Sequence, residues 1–174
     1  MKITENAEYD IRYSVETDLT CLLEWLSMPE LRRWYPISSD NDVEAMGKNW
    51  IGFYRFGASL TATLNSKPVG IATLFLMPYR KLIHHCLLYF IVDPAYSRQG
   101  IGTSIIRNAI HLATKYFHFE KIGLEIYEKA PALSLLKKLG FQEIVRQEHF
   151  VKEGDNNYLA RLIMEKNLQS QGMN

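Results

Sequence analysis

SRQGIGTSII, residues 97 to 106, sets two glycines, two serines, a threonine and an arginine directly before an apolar run. The strand-like segment HHCLLYFIV (84–92) precedes it and Pro94 ends that strand. A strand that turns sharply into a helix leaves the first backbone N–H groups of the helix without intrahelical partners. The helix dipole adds partial positive charge at the same end. Glycine permits close approach of a ligand to the backbone, so Gly100 and Gly102 predict an anion cradle suited to a phosphate or pyrophosphate. Arg98 adds a full charge, and Thr103 and Ser104 add hydroxyls. The P-loop pattern fails because no lysine follows Gly102. The dinucleotide fingerprint fails because Ile105 stands where a third small residue belongs.

On either side the pattern is that of one α/β domain. YDIRYSV (9–15) reads as a strand. Thr17 is the expected N-cap of a helix from Asp18, with Leu19, Leu22, Leu23 and Leu26 on one face. Pro29 restarts the chain. Asp42 is the expected cap of a second helix carrying Val43, Met46 and Trp50. ASLTATLN (58–65) and VGIATLFLM (69–77) form a hairpin around an Asn65–Pro68 turn. HHCLLYFIV is apolar on both faces, as a central strand is. A helix runs from the glycines to about Phe117, with Ile101, Ile105, Ile106, Ala109, Ile110 and Ala113 inward. KIGLEIY (121–127) is a strand, PALSLLKKLG (131–140) a short helix stopped by Gly140, and residues 141–151 and 158–166 a closing hairpin. The order predicts helices covering a central, partly antiparallel sheet.

Length and composition fit this. The 174 residues are 47% hydrophobic and 22% charged, which suits a single globular domain over 1–168 with a frayed polar tail at 169–174. The net charge of +1 gives no global case for nucleic acid or a membrane surface. The longest apolar runs fall well short of the roughly 20 residues of a membrane helix, and the first residues lack a secretory pattern. Cys21 and Cys86 read as reduced thiols of a cytoplasmic protein. His84, His85 and His149 lack the partners a metal site needs, so no metal is expected.

The run YFIVDPAYSRQGIGTSIIRNAI (89–110) resembles motif A of the GNAT superfamily of N-acetyltransferases, through Val92-Asp93-Pro94 and Gly100-Ile101-Gly102. LEIYEKAPALSLLKKLGF (124–141) resembles motif B, ending in Lys138-Leu139-Gly140-Phe141. IRYSVETDLTCLLEWLSMPELRRW resembles the family's first strand and helix. The resemblance covers nearly the whole domain. It implies a mixed, mostly antiparallel sheet of about six or seven strands, splayed in the middle, with helices on both faces. It also implies acetyl-CoA as co-substrate, its pyrophosphate on the amides of Arg98, Gln99, Gly100, Ile101, Gly102 and Thr103. Its pantetheine arm would follow the main chain of Phe90, Ile91 and Val92, as a peptide adds to a sheet edge, with Lys129 nearby. The implied reaction is direct attack of a neutral amine on the thioester, with main-chain N–H groups stabilising the oxyanion.

Four positions depart from the family pattern: Ser97 replaces Arg or Gln at the cradle, Lys129 replaces Asn, Leu136 replaces the tyrosine acid, and Leu87 replaces a strand Glu. Glu125 and Tyr127, which share a face of their strand, become the candidate catalytic residues. Trp34 and Tyr35, with Trp50, are candidates for the acceptor wall. The acidic stretch Asp40, Asp42 and Glu44 reads as a helix start or a cation-attracting patch. The acceptor is expected to be the amine of a small molecule or peptide, and the closing strands are candidates for a homodimer interface. A GNAT-fold module that binds acyl-CoA without turnover, or an unrelated anion-binding α/β domain, stays open at this level.

Overall fold

The computed structural model describes residues 8–168, so the expected frayed tail at 169–174 lies outside the described residues. Seven strands form one sheet: β1 Tyr9–Tyr13, β2 Ser59–Leu64, β3 Lys67–Leu76, β4 His85–Val92, β5 Lys121–Tyr127, β6 Gln142–Gly154 and β7 Asn157–Asn167. Their order is β1-β2-β3-β4-β5-β7-β6, and only the β4–β5 pair is parallel. Five α-helices accompany them among the described residues: α1 Leu19–Ser27, α2 Pro29–Arg32, α3 Asp40–Ile51, α4 Ile101–Lys115 and α5 Leu133–Lys138. The expected mixed, mostly antiparallel sheet is present, with helices packed on both its faces.

One core layer lies between the sheet and α4 and α5. It holds Ile101, Ile105, Ile106, Ala109 and Ala113 of α4, with Ile110 only partly buried against it. The second layer packs α1 and α3 on β3 and β4 through Leu22, Trp25, Leu26, Val43, Trp50, Ile71 and Ile91. The helical spacing read from the sequence therefore marks the faces that are buried. Pro68 stands at the register shift of β2 on β3, where its missing N–H costs no ladder bond. Asn65 and Ser66 take positive φ in the hairpin turn.

Two helix starts differ from expectation. Thr17 does not cap α1: a 3-10 turn, Glu16–Asp18, precedes that helix, and the Asp18 carboxylate accepts the Val15 N–H at 2.9 Å. Asp42 is not the N-cap of α3 either. Ser39 is, accepting the Asp42 N–H, while the Asp42 carboxylate reaches back to the N–H groups of Ser38 and Ser39. This reciprocal pair is a capping box with Asp at its third position. The Ser38 hydroxyl, which donates to the same carboxylate at 2.8 Å, together with these bonds holds the Asp42 carboxyl well below the usual range. Asp40, Asp42 and Glu44 thus serve the start of α3, Asp40 meeting Arg32 and Glu44 meeting Lys48.

A buried polar network ties β1 to β2, β3 and the start of α1. Ser14 meets Ser59 and Thr61, Ser59 meets Thr73, and Thr61 donates to Asp18 at 2.8 Å. Arg12 closes it with two bonds to Asp18, each 2.8 Å. Every oxygen on this path has a partner, which is what makes such a network tolerable in a core.

Candidate functional site

β4 and β5 pair only at His85–Leu87 with Lys121–Gly123. Beyond that point β4 stays on β3 and β5 stays on β7 to its last residue, so the sheet opens into a splay. Main-chain groups alternate in direction along a strand. The Asp93 N–H donates to Val69 on the β3 side, and the His84 carbonyl accepts from Glu120 on the β5 side. Even-numbered residues of β4 therefore turn their N–H and C=O toward the splay. Phe90 and Val92 are in this set; the main chain of Ile91 faces β3, opposite Ile71.

Of the two acceptor-wall candidates, Tyr35 stands at the opening. The Tyr35 hydroxyl donates to the Phe90 carbonyl at 2.7 Å, and its ring leans on Trp50, which meets Tyr89. Burial pushes the Tyr35 hydroxyl pKa up, so it stays a donor at neutral pH. Trp34 packs under the Arg33 guanidinium and against the α4–α5 layer, while Tyr35 packs against the α1–α3 layer. These adjacent side chains thus pack against different layers. Trp50 itself is fully buried and belongs to the core.

At the wide end of the splay the chain leaves β4 through Asp93, whose carboxylate accepts the Ala95 N–H at 2.9 Å and starts a 3-10 turn, Pro94–Tyr96. Arg98 and Gly100 then take positive φ, 59° and 87°. Gly100 is the N-cap of α4 with no side-chain cap, and the first bond of the helix runs from the Ser104 N–H to the Gly100 carbonyl. The amides of Ile101, Gly102 and Thr103 precede that bond and form the bare start of the helix. A Cβ on Gly102 would lie 3.4 Å from Leu135 and 3.8 Å from Val92, in the mouth between β4 and α5. An uncapped amide cluster beside a mouth that side chains would narrow fits a diphosphate whose arm enters the splay. Lys129 lines an open cleft of about 290 Å³ with Glu128, Ala130, Pro131, Leu133, Ser134 and Lys137.

On the face away from α4, β5 presents Glu125 and Tyr127. Tyr127 is opposite Arg161 of β7, and Arg161 is opposite Gln147 of β6. The Glu125 carboxylate accepts from Arg161 at 2.9 Å and remains accessible. Tyr127 is buried; burial first, then the nearby Glu125 charge, raise its pKa. Tyr89 of β4 is shifted the same way for the same two reasons. Arg33, after α2, pairs with Glu153 of the β6–β7 hairpin at 2.9 Å.

The sequence pattern singles out Glu125 and Tyr127 but not Arg161, Gln147 or Tyr89, which only the strand register brings to them. Leu136, in the family's tyrosine position, is fully buried against α4. Leu87 pairs with Gly123 at the closed end of the splay. Cys86 is buried and Cys21 half-buried, both free; burial pushes their thiols up to about 12 and about 11. Among the described residues no group of three or more His, Cys, Asp or Glu side chains is placed to hold a metal, and no helix is long and apolar enough to cross a membrane.

The model of the acetyltransferase (GNAT) family matches residues 19–141. An N-alpha-acetyltransferase of Sulfolobus acidocaldarius is 25% identical over 179 residues, covering 91% of this chain and 97% of that protein. One of Sulfurisphaera tokodaii is 34% identical over 65 residues, 37% of this chain and 39% of its own length. Among solved structures, a GNAT-family acetyltransferase of Streptococcus pneumoniae superposes with a TM-score of 0.72 at 20% identity, covering 92% of this chain and 99% of that one. The yncA protein of Salmonella typhimurium, solved with its cofactor acetyl-CoA, gives 0.74 at 18% identity, with 96% and 98% covered. The ribosomal-protein-S18-alanine N-acetyltransferase of Escherichia coli gives 0.72 at 21%, again with 96% and 98%. With the family model spanning most of the domain, this chain belongs to the GNAT family and is an N-acetyltransferase that uses acetyl-CoA.

Proposed function

We propose that the acceptor is the α-amino group of a polypeptide N-terminus, and that Glu125 takes the proton this amine must lose before it attacks. The observation that carries the reading is the accessible Glu125 carboxylate on β5, two residues past the last β4–β5 pair, in the trough between Tyr89 and Arg161. Glu125 on β5 and Arg161 on β7 are both open to solvent along this face, which suits an extended chain end. The S. acidocaldarius relative, similar over nearly its whole length, bears the name of that activity.

Acetyl-CoA supplies the activated acyl group as a thioester. The residues fit it as follows. The amides from Arg98 to Thr103 hold the pyrophosphate, with the Arg98 charge beside them. The N–H groups of Phe90 and Val92 hold the pantetheine arm and place its carbonyl, because they alone of residues 90–92 face the splay. Lys129 adds positive charge to the cleft it lines at the start of α5. Tyr35 fixes the Phe90 carbonyl and sets the height of the acceptor wall, and Trp34 packs beside it. Tyr127, kept protonated by its burial, is the proton donor within reach of the Glu125 patch. The enzyme is proposed to act in the cytoplasm.

The test is coenzyme A release with three acceptor sets: peptides with a free N-terminus, the same peptides N-terminally blocked with a lysine retained, and small amines. Turnover is expected with the first set, and Glu125→Gln should lower it by about 100-fold, in the range of general base catalysis. Equal turnover with the blocked peptides or the small amines would overturn the acceptor assignment.

A further inference from the structure

We infer that Arg161 is a positioning residue for the reaction, and that the irregular strand β6 exists to hold it there. The inference rests on the reading of Glu125 as the base. Arg161 donates from Nη1 to Glu125 Oε2 at 2.9 Å and from Nε to Gln147 Oε1 at 2.8 Å. Its guanidinium also lies over the Phe150 ring, 3.8 Å from the centroid. Three strands thus converge on one side chain, and that side chain fixes one oxygen of the Glu125 carboxylate. The other oxygen, Oε1, is left to the acceptor.

Phe150 reaches this place only because β6 is bulged. Gln147 pairs with Arg161 and Val151 with Leu159, so four steps along β6 match two along β7. In a regular strand residues 147 and 150 would point to opposite faces. The extra residues around His149, which has a φ of 53°, swing Phe150 back to the face that Gln147 and Arg161 occupy. A bulge of this kind re-aims a side chain beside a site. The planar fork of arginine suits this position. One edge serves Gln147, another serves Glu125, and the flat face rests on an aromatic ring. Lysine offers the charge without the fork.

The groups facing Glu125 are Tyr89 from β4, Tyr127 from its own strand and Arg161 from β7. Of these Arg161 alone is cationic and in contact. Removing it leaves the carboxylate free to rotate in an open trough. Loss of a fixed near-attack arrangement lowers kcat rather than acetyl-CoA affinity.

The experiment is steady-state kinetics with acetyl-CoA and a peptide bearing a free N-terminus, on Arg161→Met, Arg161→Lys, Phe150→Ala, Glu125→Gln and the double variant Glu125→Gln/Arg161→Met. Arg161→Met is expected to lower kcat about tenfold or more, with the KM for acetyl-CoA within about twofold. Arg161→Lys should recover part of the loss. Phe150→Ala lies on the exposed hairpin, leaves β7 intact and should lower kcat in the same direction, which serves if Arg161→Met folds poorly. The double variant should be no slower than Glu125→Gln alone, since a positioning residue has nothing left to position. If Glu125→Gln is impaired while Arg161→Met and Phe150→Ala keep full kcat, or if the two losses multiply, the inference falls and the base assignment stands. If Glu125→Gln keeps full activity, the base assignment itself falls.

Discussion

Asp18 is a buried carboxylate that ties together three elements of the fold. Its side chain is 3% exposed, at the meeting of β1, β2 and the start of α1. Burial pushes its pKa up, but two bonds from Arg12, one from the Val15 N–H and one from the Thr61 hydroxyl outweigh that, and the net shift is down. A carboxyl with a lowered folded pKa stabilises the protein above its unfolded pKa of about 3.9, and the contribution drains away as pH falls through the folded value. Asp18→Asn is expected to cost about 2 kcal/mol at pH 7, the scale of hydrogen bonds to a charged group. Urea unfolding checks this, with a second series below pH 4, where the gap between wild type and variant should narrow. A gap that stays constant with pH would mean that the charge of Asp18 is immaterial. The sequence marks Asp18 only as a residue near a helix start. Its role depends on Arg12, Ser14, Thr61 and Thr73, which lie far apart in the chain and meet only across three strands.

Elements with strong periodicity are the legible ones. α4 shows its buried face through Ile101, Ile105, Ile106, Ala109 and Ala113, and its start through Gly100, the N-cap with no side-chain cap. The cap of α3 is misread because Ser39 and Asp42 both suit an N-cap, and the choice depends on backbone geometry one turn earlier. β6 is the opaque element. EIVRQEHFV does not alternate cleanly, and three register shifts along the β6–β7 ladder remove the parity by which Gln147 and Phe150 would be placed. Arg161 is hidden because only the β5–β7 pairing of Tyr127 with Arg161 brings it to Glu125, whereas Glu125 and Tyr127 share one face of the same strand. A Cβ at Gly102 meets only ordinary contacts, so the helix tolerates a side chain there, but a long one fills the mouth between Val92 and Leu135. Gly102→Arg should keep its melting temperature within a few degrees and lose acetyl-CoA binding by calorimetry. Unchanged affinity would remove the cradle from this site.

The whole molecule is two half-sheets, β1–β4 and β5–β7, joined by three paired residues at one end of the splay and by the core under α4 and α5. The motif resemblance implies such a division, but its extent is fixed by where the β4–β5 pairing stops, after Leu87 and Gly123, and no local pattern in either strand marks that point. On the proposed reading, an arm bound between the halves would supply the strand contacts that β4 lacks on its open side. Acetyl-CoA should therefore act as a ligand of the native state alone, worth about 2.7 kcal/mol when present at a hundred times its dissociation constant, and raise the melting temperature accordingly. The protection should also be local. The N–H groups of Phe90 and Val92 face the splay, whereas that of Ile91 faces β3. Hydrogen exchange followed by NMR should slow at Phe90 and Val92 when acetyl-CoA is added and change least at Ile91. Equal slowing at all three would mean that the ligand stiffens the domain from elsewhere, and that the alternation along β4 does not define its path.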